Sequence, residues 1–285
     1  MTILATVFLA LSLLNLVLIA WQWWVASQFP LHRRATNLDQ SPAVTLLKPL
    51  KGSDPETVEC LRSWFTQNYS GPVQILFGVA SADDPVCAVL RELITAQPGC
   101  EAQLVVCGEP RWPNAKVATL MQLQKIARHE ILIVSDADVR VPPDLIEQMV
   151  VHFREADVEA QRESLRRVGV QALACATGER GARDKLKLEL QSRAPVGLVS
   201  CFYRFANPTN FAMRWEAFAT NADFWSQVLQ AQSLKPLDFA LGAVMADSKR
   251  WPITWRTITN WATKSRVRAR ASICRQWWWT AIRRR

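Results

Sequence analysis

The stretch Ile131–Val141, ILIVSDADVRV, decides how the rest of the chain is read. Four apolar β-forming residues run into Ser135, and an Asp-x-Asp follows. This pattern predicts a fully buried strand that delivers Asp136 and Asp138 to its own C-terminal end. Open α/β sheets bind ligands at that end. Two carboxylates there can serve a hard divalent cation, which needs few protein oxygens when substrate phosphates supply the others. The plainer alternative is a pair of solvated turn acids, and the buried-strand prefix argues against it.

Upstream of this stretch the chain alternates between the two periodicities. Val44–Leu47 reads as a short buried strand leading into the loop Lys48-Pro49-Leu50-Lys51-Gly52, whose two lysines would face a diphosphate. Ser53-x-x-Glu56, with Pro55 in the first turn, has the form of a capping box opening a helix to about Gln67, with Val58, Leu61, Trp64 and Phe65 on its apolar face. Val73–Val79 is the next strand and ends in Ala80-Ser81-Ala82-Asp83-Asp84-Pro85, where the acidic pair reads as a helix cap or as a ligand site. A helix over Cys87–Ala96, a strand over Gln103–Val106, the loop Glu109–Lys116 (EPRWPNAK) and a helix over Val117–Ala127 complete the run. Such alternation predicts a parallel sheet covered on both faces.

Downstream, Pro142-Pro143-Asp144 caps a helix over Leu145–Phe153. Residues 154–194, rich in Arg, Glu, Gln and Lys, read as a solvated helical insertion whose basic part, Arg180–Lys187, would lie near anionic headgroups if it has a role. Val196–Phe202 is a strand, Asn207–Asp223 a helix with Trp215 and Phe218 on one face, and Phe239–Met245 a buried strand or loop.

The net charge of +9 over 285 residues suggests nucleic acid at first, but its distribution argues otherwise. Residues 247–285 hold 11 Lys/Arg and one acid, which leaves 23 bases against 24 acids for the preceding 246 residues. The body is close to neutral, and its 49% apolar chain can bury a substantial core. Cysteines at 60, 87, 100, 107, 175, 201 and 274 form no C-x-x-C pair and are odd in number, as free thiols of a reducing compartment would be.

Thr2–Val25 carries no charge, and roughly 24 residues rising 1.5 Å each can cross a hydrocarbon core of about 30 Å. Trp21, Trp23 and Trp24 fit an aromatic belt, and His32-Arg33-Arg34 put the following residues in the cytoplasm by the positive-inside rule. A cleaved signal peptide would want a basic region before the apolar run and a shorter core.

Taken in order, LLKPLKGSDP, ASADDP, PNAK, VSDADVRV with PPDLI, GLVSCFYR and LDFALGAVMA resemble the ceramide glucosyltransferase-like family of membrane glycosyltransferases. The wording NADFWSQVLQAQSLKPLDFALGAVMA is most similar to its bacterial hopanoid-associated branch. The resemblance runs from about Val44 to Ala246, interrupted at 154–194. It implies a GT-A fold, a Rossmann-like α/β domain with a mostly parallel sheet. It also implies a UDP-sugar donor, a lipid hydroxyl acceptor (ceramide or hopanoid), a divalent cation (Mg²⁺ or Mn²⁺) and a bacterial inner-membrane location with a cytoplasmic catalytic domain. Asp83 and Asp84 match the acidic motif that contacts the nucleotide base, Asp136 the ribose and diphosphate region, and Asp138 the metal ligand. Lys116, with Lys48 and Lys51, matches basic positions of the nucleotide pocket. The domain organisation follows: a membrane anchor over 1–27, a GT-A domain over 28–246 and an aberrant tail over 247–285.

Inverting transfer needs a general base, which the family supplies from a third Asp in an A-D-D-Y-Q-L-type segment. No such segment follows Ala246, so the catalytic base is unassigned, and Asp247 is the one acid of the tail. That tail holds 6 of the 13 Trp and no Gly, a composition unlike the body's, and it is expected to be translated out of frame. Trp is always TGG. Joining the third base of each codon to the first two of the next therefore turns Trp251-Pro252 into Ala, Asn260-Trp261 into Leu and Trp261-Ala262 into Gly. From Lys249 to Ala262 the shifted frame accommodates A-L-A-D-Y-L-A-D-D-Y-Q-L-G. The chain as written would then be inactive and its tail poorly packed; the alternative is a genuine basic, Trp-rich tail. Three functions remain in competition: a membrane-anchored inverting glycosyltransferase, an inactive member that keeps nucleotide-sugar binding, and a binder of nucleic acid or anionic lipid acting through the tail. The near-neutral body favours the first two, with no nucleic-acid partner.

Overall fold

The computed structural model describes residues 2–29, 41–108, 114–153, 196–234, 243–248, 270–274 and 280–281. The basic triplet at 32–34, the loop at 109–113, the stretch 154–194 and most of FALGAVM and of the tail fall outside the described residues.

Helix α1 (Thr2–Gln28) is 27 residues long, and its portion Ile3–Gln28 is long and apolar enough to cross a membrane by length and composition. Strands β1 (Val44–Pro49), β2 (Val73–Val79), β3 (Glu101–Val106) and β4 (Ile131–Ser135) alternate with helices α2 (Thr57–Phe65), α3 (Val86–Ala96) and α4 (Ala115–Ile126). They pair in the order β3-β2-β1-β4, all parallel, with Val44 beside Val73 on one side and Ile131 on the other. Every residue of β1 and β4 is buried, as strands covered on both faces require. Side chains alternate between the faces with a period of two. Val44, Leu46, Ile75, Phe77 and Ile133 meet Trp64 of α2, Leu90 of α3 and the helix over residues 145–153, here α5. Leu47, Leu76, Leu132 and Val134 meet Leu120 and Leu123 of α4.

The close approach of α4 to the sheet requires a glycine. A Cβ on Gly78 would come within 2.5 Å of Thr119 Cγ2 and 3.0 Å of Leu123 Cδ1. The helix starts are set locally, and one differs from expectation. Asp54, not Ser53, organises the first turn of α2: its Oδ1 accepts from the Glu56 N–H at 3.1 Å and the Thr57 hydroxyl at 2.8 Å. Asp54 directly precedes Pro55, and its short carboxylate reaches these donors in an Asx-turn geometry. Asn114 caps α4 through the Val117 N–H at 3.2 Å, so the helix begins two residues earlier than its apolar run suggests. Gln67 ties the end of α2 to the start of α5, donating to the Pro142 carbonyl at 2.7 Å and accepting from the Ile146 N–H at 3.2 Å.

Beyond α5 the sheet changes direction. Strand β8 (Val244–Ser248) lies antiparallel between β4 and β6 (Val196–Cys201), with Ser135 opposite Val244 and Leu132 opposite Asp247. It crosses the boundary drawn at Ala246 without interruption. Strand β7 (Arg204–Phe205) is followed by α6 (Phe211–Phe218), a π-helical turn over Ala219–Phe224 and α7 (Trp225–Leu234). Two described pieces of the tail also pair. Strand β9 (Arg270–Cys274) runs parallel to β6 at the sheet edge, and β10 (Thr280–Ala281) lies between β7 and β5 (Val139–Arg140). This pairing does not test the expectation of a poorly packed tail. Backbone pairing consumes N–H and C=O groups irrespective of which side chains they carry. The expected architecture, an α/β GT-A fold with a mostly parallel sheet and an N-terminal apolar helix, is the one observed. Cys60, Cys87, Cys100 and Cys107 are free thiols.

Candidate functional site

Because β1 and β4 are parallel and in register, their C-terminal ends open at the same level, and the candidate residues gather there. The alignment pairs Leu47 with Val134. One step on, Lys48 Nζ donates to Ser135 Oγ at 3.1 Å and also to the Asp136 carbonyl. Lys48 is therefore not a loop residue reaching for solvent. It lies inside β1, fully buried, with Nζ 5.6 Å from the centroid of the Trp64 ring. The reason is that β1 keeps pairing with β2 through Lys48 opposite Phe77 and Pro49 opposite Gly78. Burial pulls the Lys48 ammonium down to about 8, against the raising effects of Cys60, Asp136 and Asp138, while Lys116 adds to the lowering. Asp136, whose carbonyl meets this amine, also pairs with Lys116.

Asp136 sits just past β4, where its N–H donates to the Ala243 carbonyl at 2.9 Å and ties the acidic turn to the start of β8. Its Oδ1 forms an ion pair with Lys116 Nζ from the first turn of α4, both side chains being more than a third exposed. Such a pair contributes about 0–1 kcal/mol, so it yields readily to a competing anion. Asp138 lies two residues on in the same turn and is half-buried. Lys51 is exposed beyond the end of β1. Among the described residues no group of three or more His, Cys, Asp or Glu is arranged to hold a metal ion by itself. The donor set of two carboxylates fits a hard cation only if a ligand's phosphate oxygens complete the shell.

At the end of β2 the two acids differ in role. Asp83 is exposed, its N–H donating to Ser81 Oγ at 3.1 Å. Asp84 holds the local structure together, its carboxylate accepting from the Val86 N–H at 3.0 Å and from the Gly52 N–H at 2.9 and 3.0 Å. The helix-cap reading thus holds for Asp84, which in addition joins the β1 and β2 loops. Charge-assisted hydrogen bonds of this kind contribute about 1.5–3 kcal/mol each. Gly52 meets Asp84 from a left-handed backbone, φ 69°, a conformation that residues with a Cβ avoid.

Ser135, Gly52 and Tyr203 belong to the site and were not singled out from the sequence. The signal for Ser135 was its place as the lone polar residue closing an apolar strand. Tyr203 carries no such mark: burial pushes its hydroxyl pKa up, with Asp136 adding to the rise, and its backbone carbonyl accepts from Trp225 Nε1 at 2.6 Å. Asp247 is not at this site. It is buried on β8 opposite Leu132, three residues back from Ser135 along β4, or about 10 Å at 3.3 Å per residue.

A sequence profile of glycosyl transferase family 21 matches residues 4–176. Ceramide glucosyltransferase 1 of Caenorhabditis elegans is 32% identical over 123 residues, 43% of this chain and 26% of that protein. Ceramide glucosyltransferase of Candida albicans is 33% identical over 119 residues, 38% of this chain and 22% of that protein. The matched stretch thus spans about a quarter of the length of these curated relatives. Among solved structures, a mannosyltransferase from Pyrobaculum calidifontis in complex with GDP-Man and Mn²⁺ aligns at a TM-score of 0.48 and 16% identity, over 81% of this chain and 52% of that one. With the family profile matching well over half of its residues, the chain belongs to glycosyl transferase family 21.

Proposed function

We propose that this chain is a membrane-anchored glycosyltransferase that binds a UDP-sugar at the ends of β1, β2 and β4 and serves a lipid hydroxyl acceptor, ceramide or hopanoid, with inversion at the anomeric carbon. The observation that carries the reading is the convergence of Lys48, Lys116, Asp136 and the Asp138 turn at one edge of a parallel sheet. In this proposal Asp138 would hold a divalent cation, which would supply charge neutralisation for the leaving diphosphate. Lys116 releases Asp136 and turns to the diphosphate, a change that costs little for a half-exposed ion pair. Lys51 adds a second cation from the β1 loop. Asp83, exposed beside the clamped Asp84, is free to approach the nucleotide base. Lys48 does not touch the donor; it fixes the Asp136 carbonyl and so the geometry of the turn.

A second reading, an inactive member that keeps nucleotide-sugar binding, is favoured by the position of Asp247. Its burial on β8 about 10 Å back from the strand end keeps it from serving as the base. Cytoplasmic placement of the domain at a bacterial inner membrane agrees with the basic residues after α1. Calorimetric titration of the full chain in detergent with UDP-glucose and UDP-N-acetylglucosamine, with and without Mn²⁺, tests the donor. Cation-dependent binding is expected, and its absence for every UDP-sugar defeats the proposal. Sugar transfer to a lipid acceptor separates the active reading from the inactive one.

A further inference from the structure

One helical run has a face that the site does not use. Residues 211–234 form a continuous helical segment with a π turn in the middle. In α6, Phe211, Trp215 and Phe218 project at the i, i+4, i+7 spacing of one stripe and are 80%, 67% and 65% exposed. Arg214 is exposed beside them, while Ala217 on the other side of the helix is buried. Three large apolar side chains on one exposed stripe call for an apolar or interfacial neighbour.

The anchor supplies the location. Helix α7 packs antiparallel along the last turns of α1. Gln22 Nε2 donates to Asp223 Oδ1 at 3.1 Å and to Ser226 Oγ at 2.5 Å, and Gln230 Nε2 donates to the Leu18 carbonyl at 3.2 Å. Val25, Ala26 and Phe29 pack on a cluster of Phe202, Trp225, Val228 and Leu229. These contacts fix α6 at a definite height on α1. Asp223 is level with Gln22, inside the belt formed by Trp21, Trp23 and Trp24. At 1.5 Å per residue, Phe218 lies about 8 Å and Trp215 about 12 Å beyond that level. The last apolar residue of α1, Ala26, is about 6 Å beyond it. Both aromatics therefore fall in the headgroup layer, roughly 5–8 Å thick on each side of the hydrocarbon core. Trp and Phe at this depth, with an Arg beside them to meet phosphates, have the composition of an interfacial contact.

We infer that the Trp215–Phe218 end of α6 docks in the headgroup layer of the membrane that α1 spans, giving the domain a second, lateral hold on the bilayer, while Phe211, about 18 Å beyond Gln22 by the same rise, lies outside that layer. The inference rests on the reading of α1 as a membrane span. Trp225, in the helix that follows the π turn, packs edge-on against Tyr203 at 5.1 Å.

The test is photo-crosslinking of the full chain in phosphatidylcholine/phosphatidylglycerol vesicles, with p-benzoylphenylalanine replacing Trp215, Leu14 or Thr95 one at a time. Leu14 reports on α1, and Thr95 is exposed on α3 at the opposite edge of the sheet. Lipid adducts at 215 and 14, with background at 95, are expected. Adducts at 14 but none at 215 overturn the docking while leaving the anchor intact. Absence at both positions removes the anchor and the docking together. A crosslink from 215 to a second copy, or to a peptide of residues 249–285, shows that protein covers the face and also refutes the inference.

Discussion

Replacing Lys48 by methionine probes the electrostatic centre of the site. Lys48 is fully buried with its pKa lowered from an ordinary 10.5 to about 8, chiefly by loss of hydration. Between those values the unfolded chain holds a proton that the folded chain has given up, so the lysine's contribution to stability rises with pH. From pH 7 to pH 9.5 the folded form loses most of its charge on this group while the unfolded form keeps nearly all of it. Integration over that interval gives a gain of about 2 kcal/mol. Cys60 titrates in the opposite sense: burial pushes its thiol up to about 11, so its contribution is present below the ordinary value of 9.0 and is lost as pH rises towards 11. Subtracting Lys48→Met from wild type removes the Cys60 part to first order. Thermal melts of both proteins at the two pH values, in the same detergent, are the assay. The wild type is expected to gain on the variant by about 4–8 °C in Tm for a domain of this size. A difference between the proteins that is independent of pH, or that shrinks as pH rises, refutes the argument.

Gly78→Ala is expected to cost about 1–3 kcal/mol, because the new methyl meets Thr119 Cγ2 at 2.5 Å and must move α4 off the sheet; an unchanged denaturation midpoint contradicts this. As α4 carries Lys116, weaker UDP-sugar binding should accompany the loss. A reporter fused after residue 246 is expected to be active only in the cytoplasm, and activity on the far side of the membrane contradicts both the anchor orientation and the use of a cytoplasmic donor. Sequencing the gene across codons 246–250 is expected to reveal a shifted frame. One confirmed frame, together with sugar transfer by the 285-residue product, overturns that expectation.

The parallel half of the fold was legible because buried strands in such a sheet must be apolar throughout. ILIVS and VQILFGV had few other conformations in which to hide their side chains, and they form β4 and β2 with the expected limits. The direction of β8 was not legible, since alternation or continuity of apolar residues is the same for parallel and antiparallel pairing. The start of α2 was misassigned because Ser53 and Asp54 both offer an acceptor near the same donors, and spacing alone does not rank them. Lys48 was expected on a loop because a charged residue before proline ordinarily ends a strand. In the fold, Ser135, the Asp136 carbonyl and the Trp64 ring together give that amine the partners that burial requires. Asp136 and Lys116, twenty residues apart in sequence, meet because β4 follows α4 directly back into the sheet. Tyr203 remained hidden, since its nearness to Asp136 depends on strand order beyond β4.

The most direct test of the proposed site is UDP-sugar affinity of wild type and Asp138→Ala, each measured with and without Mn²⁺ on folded full-length chain. Mn²⁺ is expected to tighten binding to the wild type and to do nothing for the variant, which keeps the same circular dichroism and melting profile. Equal cation dependence in the two proteins would contradict the assignment of Asp138 and, with it, the proposed site at the end of β4.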